Sequence, residues 1–291
     1  MPNNRRLFLV ALVSLSIVCG LTIASFGEPK AASATSRQIL QSGDTLSVAE
    51  ALPTSTVSES GAYTVSLPIV SKDYVPPPLA SLFGVQMYGG LSEQSVALSM
   101  ARRARVAWAR WPIAWSSIEP TNTTPDNFNW SGIDTSIANA GDANIQIVGT
   151  FLGNPSWAAT LANGPIDIAP LSEFAQFVAA VVERYDGDGN QDAPGSPVIA
   201  YWEFYNEPDA ANRWAAEQGY GSYWGPYGDL YAEMLCAVYP GLKSASPSAK
   251  LTLGGIAYDS FQEEGGSFVR EFLGEVLENG GGNCLDVMNF H

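Results

Sequence analysis

Residues 201–210 read YWEFYNEPDA and place three acidic residues among four aromatic ones. Aromatic residues favour buried β-strands, and burying a carboxylate costs free energy unless the group is paired or used in chemistry. The segment therefore indicates one of two arrangements: a strand whose acids form structural ion pairs, or a strand that ends at a site of catalysis.

The composition is that of an acidic globular protein. The chain has 291 residues, 46% of them hydrophobic, and a formal net charge of −15 at pH 7. A hydrophobic fraction of this size is sufficient for a large core. The charge argues against nucleic acid as a partner, because phosphate binding requires clustered lysine and arginine side chains.

The N-terminal segment 1–34 has the features of an export signal. Arg5 and Arg6 precede an apolar run at 7–26, and residues 32–34 (Ala-Ser-Ala) form a small-x-small cleavage pattern. The run is nearly long enough to span a bilayer, so an uncleaved membrane anchor is the alternative. Both interpretations predict an extracellular or cell-surface domain, with the membrane as a partner only if the segment is retained.

A linker separates this segment from the folded domain. Residues 35–79 are rich in serine and threonine and include three consecutive prolines at 76–78, which favour an extended, semi-rigid spacer. We therefore expect the folded domain at 80–291. In an exported domain Cys236 and Cys284 form either a disulfide or two buried free thiols, and the sequence leaves both alternatives open.

The domain alternates short β-rich runs with stretches of helical periodicity. The β-rich runs lie at 81–88, 105–113, 144–152, 198–205, 250–258 and 285–291. The helical stretches lie at 92–104, 172–185, 229–245 and 267–279. Strands that alternate with helices predict a parallel sheet, either doubly wound or closed as a barrel.

Two features favour a (β/α)8 TIM barrel. The first strand–helix junction, MYGG at 87–90, lacks the glycine fingerprint of a dinucleotide-binding fold. Polar and aromatic residues follow several strands instead, at 110–111, 154–157, 206–207 and 291, and this is typical of the catalytic face of a barrel. Because six of the eight β/α units are recognisable, we expect an incomplete barrel from a truncated chain.

The motif Trp202-Glu203-x-x-Asn206-Glu207-Pro208 resembles the W-E-x-x-N-E-P sequence that ends strand four of the clan-A retaining glycoside hydrolases, the superfamily of cellulases and β-xylosidases. The similarity covers about residues 81–291. It extends to the segments 108–120, 155–158 and 286–291, which follow the same strand order. The resemblance implies a (β/α)8 fold and a carbohydrate substrate.

The resemblance also implies roles for individual residues. Glu207 would be the general acid/base, and Asn206 would hydrogen-bond the sugar hydroxyl next to the anomeric carbon. Arg110 would support the nucleophile, and His291 would line the site. The family's nucleophile is a glutamate at the end of strand seven, which this sequence does not contain. We therefore expect the 291-residue polypeptide itself to be inactive.

Strand geometry separates the acids of the opening segment. Glu203 and Glu207 share one face of the strand. We expect Glu203 inside the barrel as a structural partner of Arg110, and Glu207 at the rim, where an apolar wall or a nearby charge can keep it protonated. Asn206 has the opposite parity and reaches the site only if the alternation breaks. The alternative is that all three acids form salt bridges at the strand end.

Aromatic side chains bind the apolar faces of sugars or pack loops onto a domain. Trp157, directly after the third strand, is the candidate for a sugar contact, whereas Trp108 is expected in the core. Five rings follow Glu207, and packing is the alternative to substrate binding for each: Trp214, Tyr220, Tyr223, Trp224 and Tyr227.

Metal chemistry has little support. His291 is the only histidine, which rules out a zinc centre built from several histidines. Residues 186–192 (DGDGNQD) resemble the first half of a calcium loop, but its glycine at position six and glutamate at position twelve are missing. A solvated acidic turn is the preferred interpretation, and we expect neither a metal nor a cofactor in the site.

These observations predict an exported glycoside hydrolase that cleaves O-glycosidic bonds of poly- or oligosaccharides by a retaining mechanism. The alternative is a non-catalytic, cell-surface barrel that binds glycans. A glutamate at the end of strand seven of the complete protein would distinguish the two.

Overall fold

The computed structural model describes residues 83–87, 91–92, 94–219 and 221–291. The predicted signal peptide or anchor and the predicted linker lie outside these residues, as does the ring of Tyr220. Among the helices of the described part, none has the length and apolarity needed to cross a bilayer.

The described residues form a parallel sheet with helices between successive strands. Its strands are β1 (Gly84–Gln86), β2 (Trp108–Ala114), β3 (Gln146–Leu152), β4 (Tyr201–Phe204) and β5 (Lys250–Leu253). Each strand pairs in parallel with the next one along the chain, in the spatial order β1-β2-β3-β4-β5. The α/β class and the parallel sheet predicted from the sequence are confirmed.

The sixth predicted strand, 285–291, is not a continuous strand. This segment forms two isolated parallel bridges, Val287 with Thr252 of β5 and Phe290 with Ile256, which follows β5. Residues between the bridges leave the ladder because β5 itself ends at Leu253. Within the described residues the sheet therefore has five strands and a bridged sixth segment.

The helices cover one side of this sheet. They are α1 (Val96–Arg103), α2 (Trp115–Ile118), α3 (Ser131–Asp142), α4 (Leu171–Arg184), α5 (Arg213–Glu217), α6 (Gly228–Ala245) and α7 (Phe272–Glu278), with 3-10 helices at Gln262–Glu264 and Gly281–Cys284. The four predicted helices correspond to α1, α4, α6 and α7. Helix α1 begins later than predicted because the Ser95 side chain accepts hydrogen bonds from the N–H groups of Ala97 and Leu98 and caps it there.

Helix α3 was not predicted from the sequence. Its residues, SGIDTSIANAGD, include two glycines and several poor helix formers. Burial of Ile137 and Ala140 stabilises it, and the Asn139 side chain donates a 2.7 Å hydrogen bond to the Leu91 carbonyl. Tertiary packing therefore outweighs a weak local preference.

The outward face of the sheet forms an aromatic core against the helices. Phe151 of β3 stacks on Trp202 of β4 with ring centroids 5.3 Å apart, and Phe204 meets Phe174 of α4 edge to face. Gly149 is required here, since a Cβ at that position would lie 2.8 Å from the Trp202 ring. With the apolar residues turned outward, the alternate residues of these strands face the interior, where polar side chains collect.

A disulfide joins α6 to the second 3-10 helix. Cys236 and Cys284 are bonded across a sequence separation of 48 residues, with Cα atoms 5.0 Å apart. Of the two alternatives left open by the sequence, the structure shows the disulfide.

Replacing both cysteines by alanine should lower the free energy of unfolding by about 4 kcal/mol, because opening a loop of this length restores entropy to the unfolded chain. Urea denaturation of the variant and the wild type measures the difference. Reduction of the wild type should produce a similar loss, and a change below about 1 kcal/mol in both experiments would contradict the expectation.

Candidate active site

The chain changes direction sharply where β4 ends. Tyr205 and Glu207 both have left-handed backbone conformations, with φ of 61° and 48°, which are rare for residues other than glycine. These two residues break the strand alternation. As a result Asn206, which has the wrong parity for the interior, directs its Oδ1 to Arg110 Nη2 at 2.9 Å. The sequence predicted that Asn206 reaches the site only if the strand alternation breaks, and the structure contains this break.

Glu203 lies at the centre of the polar interior and has no exposed surface. Two of the hydrogen bonds that its carboxylate accepts come from Arg110, at 2.5 Å from Nε and 3.0 Å from Nη2. The others come from Thr150 Oγ1 at 2.8 Å, the Gly255 N–H at 2.9 Å and Asn289 Nδ2 at 2.9 Å. A buried carboxylate with this many donors is a structural element. The predicted partnership with Arg110 is confirmed.

Arg110 extends the network toward the strand ends. Besides Glu203, its guanidinium donates to Gln86 Oε1 of β1 at 2.6 Å and to Asn206 Oδ1. One planar group therefore links β1, β2 and β4. Because Arg110 uses the Asn206 oxygen, the Asn206 N–H groups remain as donors for other partners.

Glu207 lies at the edge of this network with 38% of its side chain exposed. Its Oε1 is 3.2 Å from Nδ1 of His291, and its backbone N–H donates to the Gly255 carbonyl at 3.0 Å. The His291 N–H in turn donates to the Ile256 carbonyl at 3.0 Å. The structure thus brings together Glu207 and His291, two of the residues predicted for the site.

Asp209, the third acid of the opening segment, is buried and anchors a loop. Its two oxygens accept from the N–H groups of Ala257 at 3.1 Å and Tyr258 at 2.9 Å. Burial raises the pKa of Asp209, the two N–H groups oppose the rise, and the charge of Glu207 adds to it. The three acids of the segment therefore occupy three different environments.

A polar cavity of about 320 Å³ opens beside the network. Its lining includes Gln86, Arg110, Thr150, Asn163, Asn206 and Ser222. The Ser222 hydroxyl donates to the Asn206 carbonyl and fixes the loop that follows α5. Of the predicted site residues, Arg110 and Asn206 line this cavity, whereas Glu207 and His291 do not.

Trp157 is held in the wall of the domain. Its ring meets Trp115 edge to face at 5.1 Å, and its Nε1 donates to the Glu119 carbonyl at 3.1 Å. The adjacent Glu119 carboxyl is buried, and burial raises its pKa although Trp115 Nε1 donates to it at 2.7 Å. The structure does not bring Trp157 to the lining of the polar cavity, and its contact with sugar stays a prediction.

The rings after Glu207 have different environments. Trp224 is buried against Tyr205 and Tyr231, with ring centroids 5.0 and 5.3 Å away, which agrees with the packing alternative. Tyr223 and Tyr227 contact each other. The side chain of Trp214 on α5 is 67% exposed, so among the described rings of this loop it is the most open to a ligand.

The acidic turn at 186–192 remains compatible with both interpretations. Oxygens of Asp186, Asp188 and Asp192 lie within 4.8 Å of one another. Each also serves the turn itself; for example, Asp188 Oδ1 accepts the N–H of Asn190 at 2.8 Å and Asp192 Oδ2 accepts that of Gly189 at 3.0 Å.

Comparison with solved structures identifies glycoside hydrolases. A glucosidase from Croceicoccus marinus is 20% identical, with a TM-score of 0.50 over 72% of this chain and 43% of its own. The catalytic domain of GH30 xylanase C from Talaromyces cellulolyticus is 16% identical, with a TM-score of 0.50 over 72% of this chain and 52% of its own. The chain shares its fold with about half of each of these glycoside hydrolase structures.

The chain spans about half the length of these glycoside hydrolase structures or less. No protein-family model and no curated protein matches the sequence. At such low identity the similarity establishes the fold alone.

Several residues of the network were missed by sequence reasoning. Thr150 could have been found, because strand register places it directly opposite Glu203. The same holds for Gln86, which lies opposite Arg110. Gly255 and Asn289 carry no comparable sequence signal, since both lie outside the strands and their roles depend on contacts between distant segments.

Replacing Glu203 by glutamine should lower the free energy of unfolding by about 3–5 kcal/mol, because the guanidinium of Arg110 then stays buried without its counter-charge. Urea denaturation measures the change. Glu217→Gln is the matched control: it removes an exposed pair with Arg213 and should cost no more than about 0.5 kcal/mol. Equal effects of the two variants would contradict the structural role of Glu203.

Asp209 should make the stability depend on pH. Because its pKa is raised in the folded protein, its contribution is fully present below the ordinary value of 3.8 and is lost as the pH rises through the raised value. The stability of the wild type relative to Asp209→Asn should therefore fall as the pH is raised above 3.8. Denaturation series of both proteins from acid to neutral pH measure this, and a relative stability that rises with pH would contradict it.

Proposed function

We propose that the domain is an incomplete (β/α)8 barrel and belongs to an exported glycoside hydrolase that cleaves O-glycosidic bonds with retention of configuration. The observation that carries the proposal is the position of the Glu207 carboxylate. It stands half-exposed at the carboxyl end of β4, directly after an Asn206 that Arg110 holds in place. Catalytic residues of such barrels lie at this end of the strands.

A retaining mechanism requires two carboxyl groups about 5–5.5 Å apart, one protonated and one ionised. Glu207 suits the role of proton donor because its carboxyl group is open to a substrate. Among the hydrogen bonds of the described residues, its only side-chain partner is His291. Glu203 and Asp209 are occupied by internal donors and do not suit the nucleophile. The proposal therefore requires a further glutamate, which the family resemblance places at the end of strand seven.

In the first step the nucleophile attacks the anomeric carbon while Glu207 gives its proton to the departing sugar oxygen, leaving a glycosyl-enzyme. In the second step the ionised Glu207 takes a proton from water, and the resulting hydroxide breaks the glycosyl-enzyme bond. The free N–H groups of Asn206 would hold the hydroxyl next to the anomeric carbon. Arg110, through Glu203 and Asn206, would keep this end of β4 rigid.

Substrate class and location follow from separate observations. The similar structures include a glucosidase and a xylanase, which supports a poly- or oligosaccharide substrate. The apolar run at 7–26 after Arg5 and Arg6 supports export. The disulfide between Cys236 and Cys284 supports an oxidising compartment, and thus an extracellular or cell-surface location.

Glu207→Gln should impair hydrolysis according to the leaving group. In the protein expressed from its complete gene, kcat/KM for phenyl glycosides should fall by about 10²–10⁴-fold, because phenoxide needs a proton to depart. For 2,4-dinitrophenyl glycosides the first step should be nearly unchanged, since that leaving group departs without one. Azide should restore turnover and give a glycosyl azide in which the configuration is retained.

Glu278→Gln, which alters an exposed acid on α7, serves as the control. It should leave kcat/KM unchanged for both aryl glycosides. Equal losses for both leaving groups in Glu207→Gln would contradict the acid/base role. Absence of turnover in the wild type on a broad panel of aryl glycosides would contradict the proposed function as a whole.

A further inference from the structure

Gly255 connects the buried and the exposed glutamates of β4. Its N–H donates to Glu203 Oε1 at 2.9 Å, and its carbonyl accepts the backbone N–H of Glu207 at 3.0 Å. A single residue that follows β5, the strand next to β4, therefore contacts both acids. Gly255 makes these bonds with its backbone atoms alone, so any residue type except proline could make them.

The reason for a glycine at this position is the His291 ring. A Cβ on Gly255 would lie 2.2 Å from Nε2, 2.4 Å from Cδ2 and 2.9 Å from Cε1 of His291. All three nearest atoms belong to this one ring. Gly255 is also absent from the residues with positive φ, so its backbone conformation does not demand glycine.

The neighbouring Gly254 has a different role. A Cβ there would lie 2.3 Å from the Phe204 carbonyl oxygen and 2.9 Å from that of Tyr205. Gly254 is therefore required by the close approach of the β4 and β5 backbones. Of these two glycines, only Gly255 has a side chain as the nearest neighbour of the added Cβ.

The ring that fills this space also contacts Glu207. Its Nδ1 lies 3.2 Å from Glu207 Oε1, while the Nε2 edge lies over Gly255. The backbone of His291 is tied to Ile256, the next residue after Gly255. The ring is thus confined between a residue without a side chain and the carboxylate at the rim.

We propose that Gly255 is a positioning residue: by having no side chain, it seats the His291 ring so that Nδ1 holds the Glu207 carboxyl in one orientation. The proton of the neutral ring then resides on Nδ1, since the hydrogen bond to one ring nitrogen decides the tautomer. The catalytic consequence rests on the proposed function, whereas the seating of the ring does not.

The 291-residue chain allows a direct test because it contains one histidine. Prepared without a polyhistidine tag and labelled with ¹⁵N, it gives one pair of imidazole nitrogen resonances. In the wild type at alkaline pH these should report the Nδ1–H tautomer. In Glu207→Ala, which removes the acceptor, and in Gly255→Ala they should move toward those of histidine in a short peptide.

Gly274→Ala is the matched control, because a Cβ there meets nothing within 4 Å, and it should leave the resonances unchanged. Circular dichroism shows whether each variant is folded. Gly255→Ala should fold, because the His291 ring is 31% exposed and can rotate away from the added methyl group. Wild-type resonances in a folded Gly255→Ala variant would overturn the proposal. If Gly255→Ala is unfolded, wild-type resonances in Glu207→Ala would overturn it instead.

A double-mutant cycle tests the catalytic consequence in the protein from the complete gene. Gly255→Ala and His291→Ala should each lower kcat by about 10- to 100-fold with little change in KM. This is the effect expected when one hydrogen bond to a charged group is lost. The double variant should be no worse than His291→Ala alone, because both remove one interaction. Additive losses would contradict the proposal and leave the proposed function intact. Absence of turnover in the wild type would contradict the proposed function, while the nitrogen resonances would still test whether Gly255 positions the His291 ring.

Discussion

The carboxylate of Glu203 has no exposed surface, and the free energy of burying its charge is the constraint on which the rest of the structure depends. Such a charge is tolerated only with a counter-charge and a full set of hydrogen bonds. The donors come from β2, from β3, from the residues after β5 and from the bridged segment 285–291. Satisfying one carboxylate therefore fixes how four parts of the chain meet.

The same constraint shapes the candidate site. The Arg110 guanidinium binds Glu203 and also donates to Gln86 and Asn206. The bond to Asn206 holds that residue at the strand end. The left-handed conformations of Tyr205 and Glu207 are strained, and the network around them stabilises the turn. A rigid interior thus presents a half-exposed carboxylate at the rim.

Much of this arrangement could be predicted from the sequence. Strand parity placed Glu203 in the interior, where the family resemblance supplied Arg110 as its partner, and parity showed that Asn206 needs a break in the alternation. The apolar periodicity of α4 identified its buried face: Phe174, Phe177, Val178, Val181 and Val182. These predictions succeed because they rest on geometry within one element or between neighbouring strands.

The rest depended on contacts that no local pattern contains. Helix α3 has poor local propensity and is stabilised by packing. The segment 285–291 looks like a strand but, within the described residues, forms only two isolated bridges, one to β5 and one to the residues after it. The need for a glycine at position 255 arises from a ring 36 residues further along the chain, as the numbering shows. Trp157 follows β3 as expected, yet Trp115 and the Glu119 carbonyl hold it in the wall.

The most direct measurement of the central claim is a crystal structure of the protein from its complete gene with an uncleavable thioglycoside. The account predicts that a Glu207 carboxyl oxygen lies within hydrogen-bonding reach of the bridging sulfur, about 3 Å or slightly more. It also predicts that the Asn206 amide contacts the hydroxyl next to the anomeric carbon. A sugar bound with its bridging atom remote from Glu207, or a Glu207 carboxylate turned away from the bound sugar, would contradict the account.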